Sequence, residues 1–129
     1  MTHRNLANLE RGLAAFAARD LGVLRELFHE DVLWHYGGSS NLAGDYRGLD
    51  EVFELFARRA ALSNESYRLV MEHAIANDDF ISVIGRTTAH RENERYEDSI
   101  VLVYRVENER VVEAWAHQGR PEAERAFYG

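Results

Sequence analysis

The stretch LWHYGGSSNLAGDYRG, Leu33–Gly48, gathers a tryptophan, a histidine and two tyrosines with four glycines. Large aromatic rings with polar tips, set beside a backbone free to bend, suit the wall and mouth of a small-molecule pocket. Trp34 and Tyr36 have the same parity, so on a strand they share one side. The plainer alternative makes Trp34 a core residue and the glycines mere turns. Further along the chain stand His73, Arg86, His90, Asp98 and His117, with Tyr96 and Tyr104 between them. Asp98 and His117 fall on neighbouring strands if the turn between them is tight. On a shared face, His117 would take a proton while Asp98 fixed its tautomer. A slip of one residue would part them, so the register stays open. Arg86 reads either as an anion holder in a pocket or as an outward residue with a solvated head. The candidates are therefore Asp98, His117 and Tyr36 for catalysis, and Trp34, Tyr96, Tyr104 and Arg86 for ligand binding.

Other chemistries lack their residues. No cysteine is present, which removes disulfides, thiolate nucleophiles and sulfur metal sites. The six histidines include no HExxH or comparable close pair, and no metal or other cofactor is expected. There is no G-x-S-x-G elbow and no glycine-rich phosphate loop between strand and helix. A net charge of −7 repels phosphate backbones and anionic lipid, so neither nucleic acid nor membrane is an expected partner. The opening MTHRNLANLERG has no apolar run of the kind a signal peptide needs, and a cytoplasmic location is expected. At 129 residues the chain makes one domain, 1–129.

The elements that must position these groups divide the chain in two. Leu6, Leu9, Leu13, Phe16 and Ala17 recur at helical steps. Asp20 caps a second helix carrying Leu21, Leu24, Leu27 and Phe28. A third runs from about Asp50 to Ala61, with Val52, Phe53, Phe56 and Ala60 inward. Val32–Tyr36 alternates as a short strand. The second half predicts strands at Tyr67–Ala76, Phe80–Arg91, Tyr96–Val106 and Arg110–His117, rich in Val, Ile, Thr and Tyr. The short turns NDD (77–79), ENER (92–95) and ENER (107–110) make them antiparallel hairpins. Pro121 opens a last short helix to Phe127. Helices first and a meander afterwards describe an α+β domain.

This order, with the segments AARDLGVLRELFHEDVLWHYGG, LAGDYRGLDEVFELF and VLVYRVENERVVEAWAHQG, resembles the cone-shaped fold of nuclear transport factor 2. More narrowly it is similar to the SnoaL-like and ketosteroid-isomerase-like bacterial proteins. The resemblance implies three N-terminal helices packed on a curved antiparallel sheet around a conical pocket, its mouth lined by the first strand and following loop. It implies no single activity, because the fold hosts isomerases, dehydratases, cyclases, epoxide hydrolases and binding modules. The ketosteroid isomerase pattern puts Tyr36 where the basic aspartate would stand and Leu102 near its hydrogen-bonding acid. The limonene epoxide hydrolase pattern matches Arg86 but puts Thr88 and Ala116 near the aspartate positions. The expected function is cofactor-independent acid–base chemistry (isomerisation, dehydration or cyclisation) on a small, largely apolar organic molecule. Its rivals are a non-catalytic ligand-binding or dimerisation module and a regulatory partner of a larger enzyme. Apolar residues of both parities in the later strands predict a homodimer through the outer sheet face.

Overall fold

Leucines and alanines at three- and four-residue steps build the first helix, α1 (Arg4–Ala18), in a computed structural model that describes residues 3–129. The helix is capped by His3, whose ring accepts the Asn5 N–H at 3.0 Å, and ends at Arg19 in left-handed conformation. Asp20 then caps α2 (Leu21–Leu27) by accepting the Val23 N–H at 3.2 Å. The chain straightens into β1 (Phe28–Tyr36), turns through the glycine-bearing loop, and pairs back as β2 (Gly44–Arg47). Gly48 leads into α3 (Leu49–Leu62), whose first turn carries Asp50 and Glu51 against the helix dipole.

Four long strands follow: β3 (Arg68–Ala76), β4 (Phe80–Arg91), β5 (Glu94–Glu107) and β6 (Arg110–Gln118). They form an antiparallel meander. Asn108 and Glu109, at φ 50° and 64°, make the two-residue turn between β5 and β6. Two successive positive φ values match the type I′ turn that suits strand twist. Helix α4 (Pro121–Tyr128) closes the chain with Pro121 in its first turn.

All six strands lie in one sheet ordered β2-β1-β6-β5-β4-β3. It is mixed rather than wholly antiparallel, because β1 runs parallel to β6, with Trp34 opposite Ala114 and Tyr36 opposite Ala116. Alternation reports which face a side chain takes but not which strand lies beside it, so the parallel pairing left no mark in the sequence. Three other expectations are corrected. Strand β1 begins at Phe28 rather than Val32, and β2 replaces part of an expected loop. Where the resemblance implied three N-terminal helices, two of the described helices, α1 and α2, precede the first strand and α3 comes after β2; the last helix stands where the sequence placed it, as α4.

Helices α1, α2 and α3 cover one face, α1 against β3 and β4, α2 against β1 and β6, α3 against β1 and β2. Beneath them the even-numbered residues of β5, from Tyr96 through Ile100 and Leu102 to Val106, are buried with Val32, Trp34 and Tyr36 of β1. Among the described residues no helix lies on the opposite face. There Val70, Ile75, Ile84 and Val101 are 62%, 74%, 47% and 44% exposed, a level unusual for neighbouring β-branched residues. Also on that face, His35 bridges Asp45 at 2.8 Å and Glu113 at 2.7 Å and stacks on Trp115.

Candidate functional site

Between the helices and the sheet lies an inner chamber of about 80 Å³, next to an outer one of about 440 Å³ between α1, α2, α3 and the start of β3. The two share a wall that includes Phe16, Phe56, Arg59, Tyr67 and Leu69. Apolar and aromatic side chains make up most of the inner lining. Trp34 organises it: its ring stacks on Phe28 at 5.9 Å and meets Phe56 and Tyr104 edge-on at 5.5 and 5.9 Å. Such offset and edge geometries are the favourable ones for aromatic pairs. The indole N–H of Trp34 is buried and finds no acceptor among the described residues.

Three elements bring polar side chains to one part of the chamber: Tyr36 and Arg59 line it, and Glu124 stands behind Tyr36. Tyr36, the last residue of β1, lines the inner chamber and donates its phenol proton to Glu124 Oε2 of α4 at 2.8 Å. Glu124 is 1% exposed, and burial raises its carboxyl above the ordinary range, although the Tyr36 hydrogen bond opposes the shift. Among the described residues its other oxygen accepts no hydrogen bond of good geometry, although the nearby Ser40 also lowers the carboxyl. Burial likewise pushes the Tyr36 phenol well up, with the positive charge of Arg59 pulling the other way. Tyr67 follows the same pattern, raised by burial and drawn down by Arg59.

Arg59 is the dominant charge of the site. It is 5% exposed in the middle of the apolar face of α3, beside Val52, Leu55 and Phe56 on the helical period. Its guanidinium carbon sits 3.8 Å from the Tyr67 ring centroid, 5.2 Å from Phe56 and 5.5 Å from Phe16. Each such contact is worth about 0.5–2 kcal/mol. Among the described residues no carboxylate lies within ion-pairing distance of it. An unpaired buried charge costs several kcal/mol, more than stacking alone restores. Neither Arg59 nor Glu124 was among the residues singled out in the sequence. The available signal was a charged residue where the helical period asks for an apolar one: Arg59 at the step after Val52 and Leu55, Glu124 at the step before Phe127 and Tyr128.

The residues that were singled out separate into two groups. Trp34, Tyr36 and Tyr104 line the inner chamber. Asp98, Tyr96, Arg86 and His117 do not. Asp98 is buried, but its carboxylate accepts Tyr96 O–H at 2.5 Å, Arg120 N–H at 3.0 Å and Ser99 N–H at 2.8 Å, away from the lining. These bonds tie β5 to the turn before α4. The Tyr96 ring packs on Phe127 and Tyr128, on the side of α4. His117 stands opposite Val101 on the exposed face, so it and Asp98 point to opposite sides of the sheet. Arg86 pairs with Ser99 and Val70 and is exposed, which leaves the epoxide hydrolase pattern without a charged residue in the cavity. A one-residue irregularity decides this: the tight turn pairs Glu107 with Arg110 and Val106 with Val111, but a register shift between Arg105 and Val106 then sets His117 opposite Val101 rather than opposite the buried Ile100.

Comparison with known proteins bears on the same architecture. Residues 9–114 match the SnoaL-like domain family. The chain is 32% identical to Bal32a, from a soil-derived mobile gene cassette, covering 97% of this chain and 96% of that one at a TM-score of 0.91. A nuclear-transport-factor-2-like protein of unknown function from Burkholderia pseudomallei is 26% identical, with coverage of 99% and 100% and a TM-score of 0.84. IdmH of Streptomyces antibioticus, provisionally named a polyketide cyclase, is 18% identical over 92% of this chain and 94% of its own, at a TM-score of 0.73. At that identity the likeness extends to the fold alone. With this architecture and a family match over most of its length, the chain belongs to the SnoaL-like family of the nuclear-transport-factor-2-like superfamily.

Proposed function

We propose that this protein performs cofactor-independent acid–base chemistry, of the isomerase, dehydratase or cyclase type, on a small, largely apolar organic substrate. The observation that carries the reading is the Tyr36–Glu124 hydrogen bond at the polar part of an aromatic chamber. A carboxyl raised by burial holds its proton to higher pH than an ordinary carboxylate does. When Glu124 is ionised, Tyr36 donates to it. When Glu124 is protonated the bond can reverse, and the phenol proton is free to be given to a substrate oxygen. Tyr36 is then the catalytic residue and Glu124 the residue that positions and reloads it. Family membership and the cyclase name carried by IdmH agree with this class of reaction. Epoxide hydrolysis has the least support, since Arg86 is solvent-exposed.

The test is exchange of solvent deuterium into the acidic carbon positions of a panel of aromatic 1,3-diketones. The expected result is exchange above a heat-denatured control, slowed about a hundredfold in Tyr36→Phe, as for loss of a general acid. A panel that binds without exchanging would favour the rival reading, a ligand-binding module. The mostly apolar lining is the feature in that rival's favour. We also propose that two copies associate through the uncovered sheet face, where Val70, Ile84 and Val101 are exposed.

A further inference from the structure

We propose that the natural ligand carries an anionic oxygen, a carboxylate or an ionised enol, on a flat apolar body, and that Arg59 selects it. This deepens the pocket reading above and rests on it. Arg59 and Trp34 are both buried and both line the inner chamber. The Trp34 indole N–H finds no acceptor among the described residues, and the side chain that meets the Arg59 guanidinium as a hydrogen-bond partner is the neutral Tyr36 phenol. Guanidinium presents five donors and is charged at any physiological pH. Three aromatic rings hold it in place without neutralising it. Nearby phenols are neutral donors or acceptors: burial keeps Tyr36 and Tyr67 protonated well into alkaline pH, so neither supplies a counter-charge.

A structural role alone does not account for this arrangement. Leu or Met would fill the same place on α3 without the desolvation cost of a charge. An arginine with no carboxylate in ion-pairing distance among the described residues, on the wall common to both chambers, is suited to meeting a negative group that arrives from outside. The acidic residues of the chain would repel such a ligand at long range. Glu124, close to the site, would oppose it when ionised and less so when protonated. The surrounding rings suit a flat apolar body by stacking. The specificity therefore comes from Arg59 at short range and not from the overall field of the protein.

The experiment is calorimetric titration of the intact chain with 2-naphthoate, with 2-hydroxy-1,4-naphthoquinone (an ionised enol at neutral pH) and with uncharged 2-naphthylmethanol. The unmodified protein is expected to bind at least one anion about tenfold or more tighter than the alcohol, as a desolvated charge-assisted hydrogen bond implies. Which anion it prefers identifies the source of the charge. Arg59→Met should abolish the preference by weakening the anions about tenfold or more relative to the alcohol, and Arg59→Lys should restore part of it. Equal binding of anions and alcohol by the unmodified protein would overturn the selection by Arg59 and leave the pocket standing. Binding of none of the three would overturn the pocket reading itself. A preference that survives in Arg59→Met would also overturn the proposal. The comparison within the unmodified protein decides the matter even if Arg59→Met fails to fold.

Discussion

Replacing Asp98 with asparagine is expected to cost stability and spare the cavity. The carboxylate accepts three protons, two at Oδ2 from Tyr96 O–H and Arg120 N–H and one at Oδ1 from Ser99 N–H. An asparagine has one accepting oxygen. If that oxygen takes the Oδ2 position it keeps two of the three bonds, and its NH₂ then faces the Ser99 N–H, donor against donor. One charge-assisted bond is lost and the charge behind the other two is removed, at about 1.5–3 kcal/mol for such a bond. A total near 2–3 kcal/mol is a large part of the roughly 5–15 kcal/mol available to a domain. At about 4 °C per kcal/mol for a chain of this size, Tm should fall by roughly 8–12 °C. Urea unfolding is the assay, with a lower midpoint and an unchanged slope marking loss of stability alone. The variant should also retain 2-naphthoate affinity. A midpoint that moves by less than the equivalent of about 0.5 kcal/mol, together with loss of turnover, would refute this reasoning and return Asp98 to the candidates for catalysis.

Gly119→Ala should destabilise by about 1–3 kcal/mol in the same assay, because an added Cβ would lie 2.3 Å from Ser99 Oγ and 3.0 Å from Asp98 Oδ1. The His35 bridge should show in stability against pH. Glu113 and then Asp45 raise the His35 pKa despite some desolvation, so its contribution is full below its ordinary value of 6.5 and is lost as pH rises through the higher folded value. Glu113, lowered chiefly by His35, contributes above its ordinary 4.5 and loses that as pH falls through its folded value. A stability difference between the unmodified protein and His35→Gln that does not shrink on going alkaline would contradict this. Sedimentation at micromolar concentration should give a dimer that Val101→Lys converts to monomer, and a monomeric unmodified protein would remove the sheet-face association.

What could be read in the sequence was whatever depends on period and turn chemistry. Helical stripes, the Asp20 cap, the meander and the shared side of Trp34 and Tyr36 are local properties, and they correspond to α1, α2, α3 and β3–β6 as the chain folds. The family resemblance added the cone. The candidate site was less legible, because its charges come from places where period and residue type disagree. Arg59 and Glu124 look like surface residues one at a time and are conspicuous only against the apolar positions three and four residues away. Asp98 was legible as a candidate acid on a strand but not as a bonded one, since its partner Arg120 N–H is brought to it by the β6–α4 turn. The fates of His117 and Arg86 hung on a single residue of register.

The parallel pairing of β1 with β6 has a consequence for how the chain reaches this shape. About 80 residues separate Trp34 from Ala114, its partner across the pair. Local helices and hairpins form in microseconds, but joining strands so far apart requires closing a long loop before any contact repays its entropy. During synthesis, the segment bearing Trp34 and Tyr36 leaves the ribosome well before β6 exists, so its eventual neighbour is missing. Until then β1 has only the β2 hairpin and the first helices for company, with one backbone edge open. The last twenty residues of the chain thus both complete the sheet and, through Glu124, deliver the buried acid to Tyr36. Arrival of the C-terminus is therefore the event that turns a half-covered hairpin into a closed chamber, and a truncation there should leave an aggregation-prone edge rather than a smaller working domain.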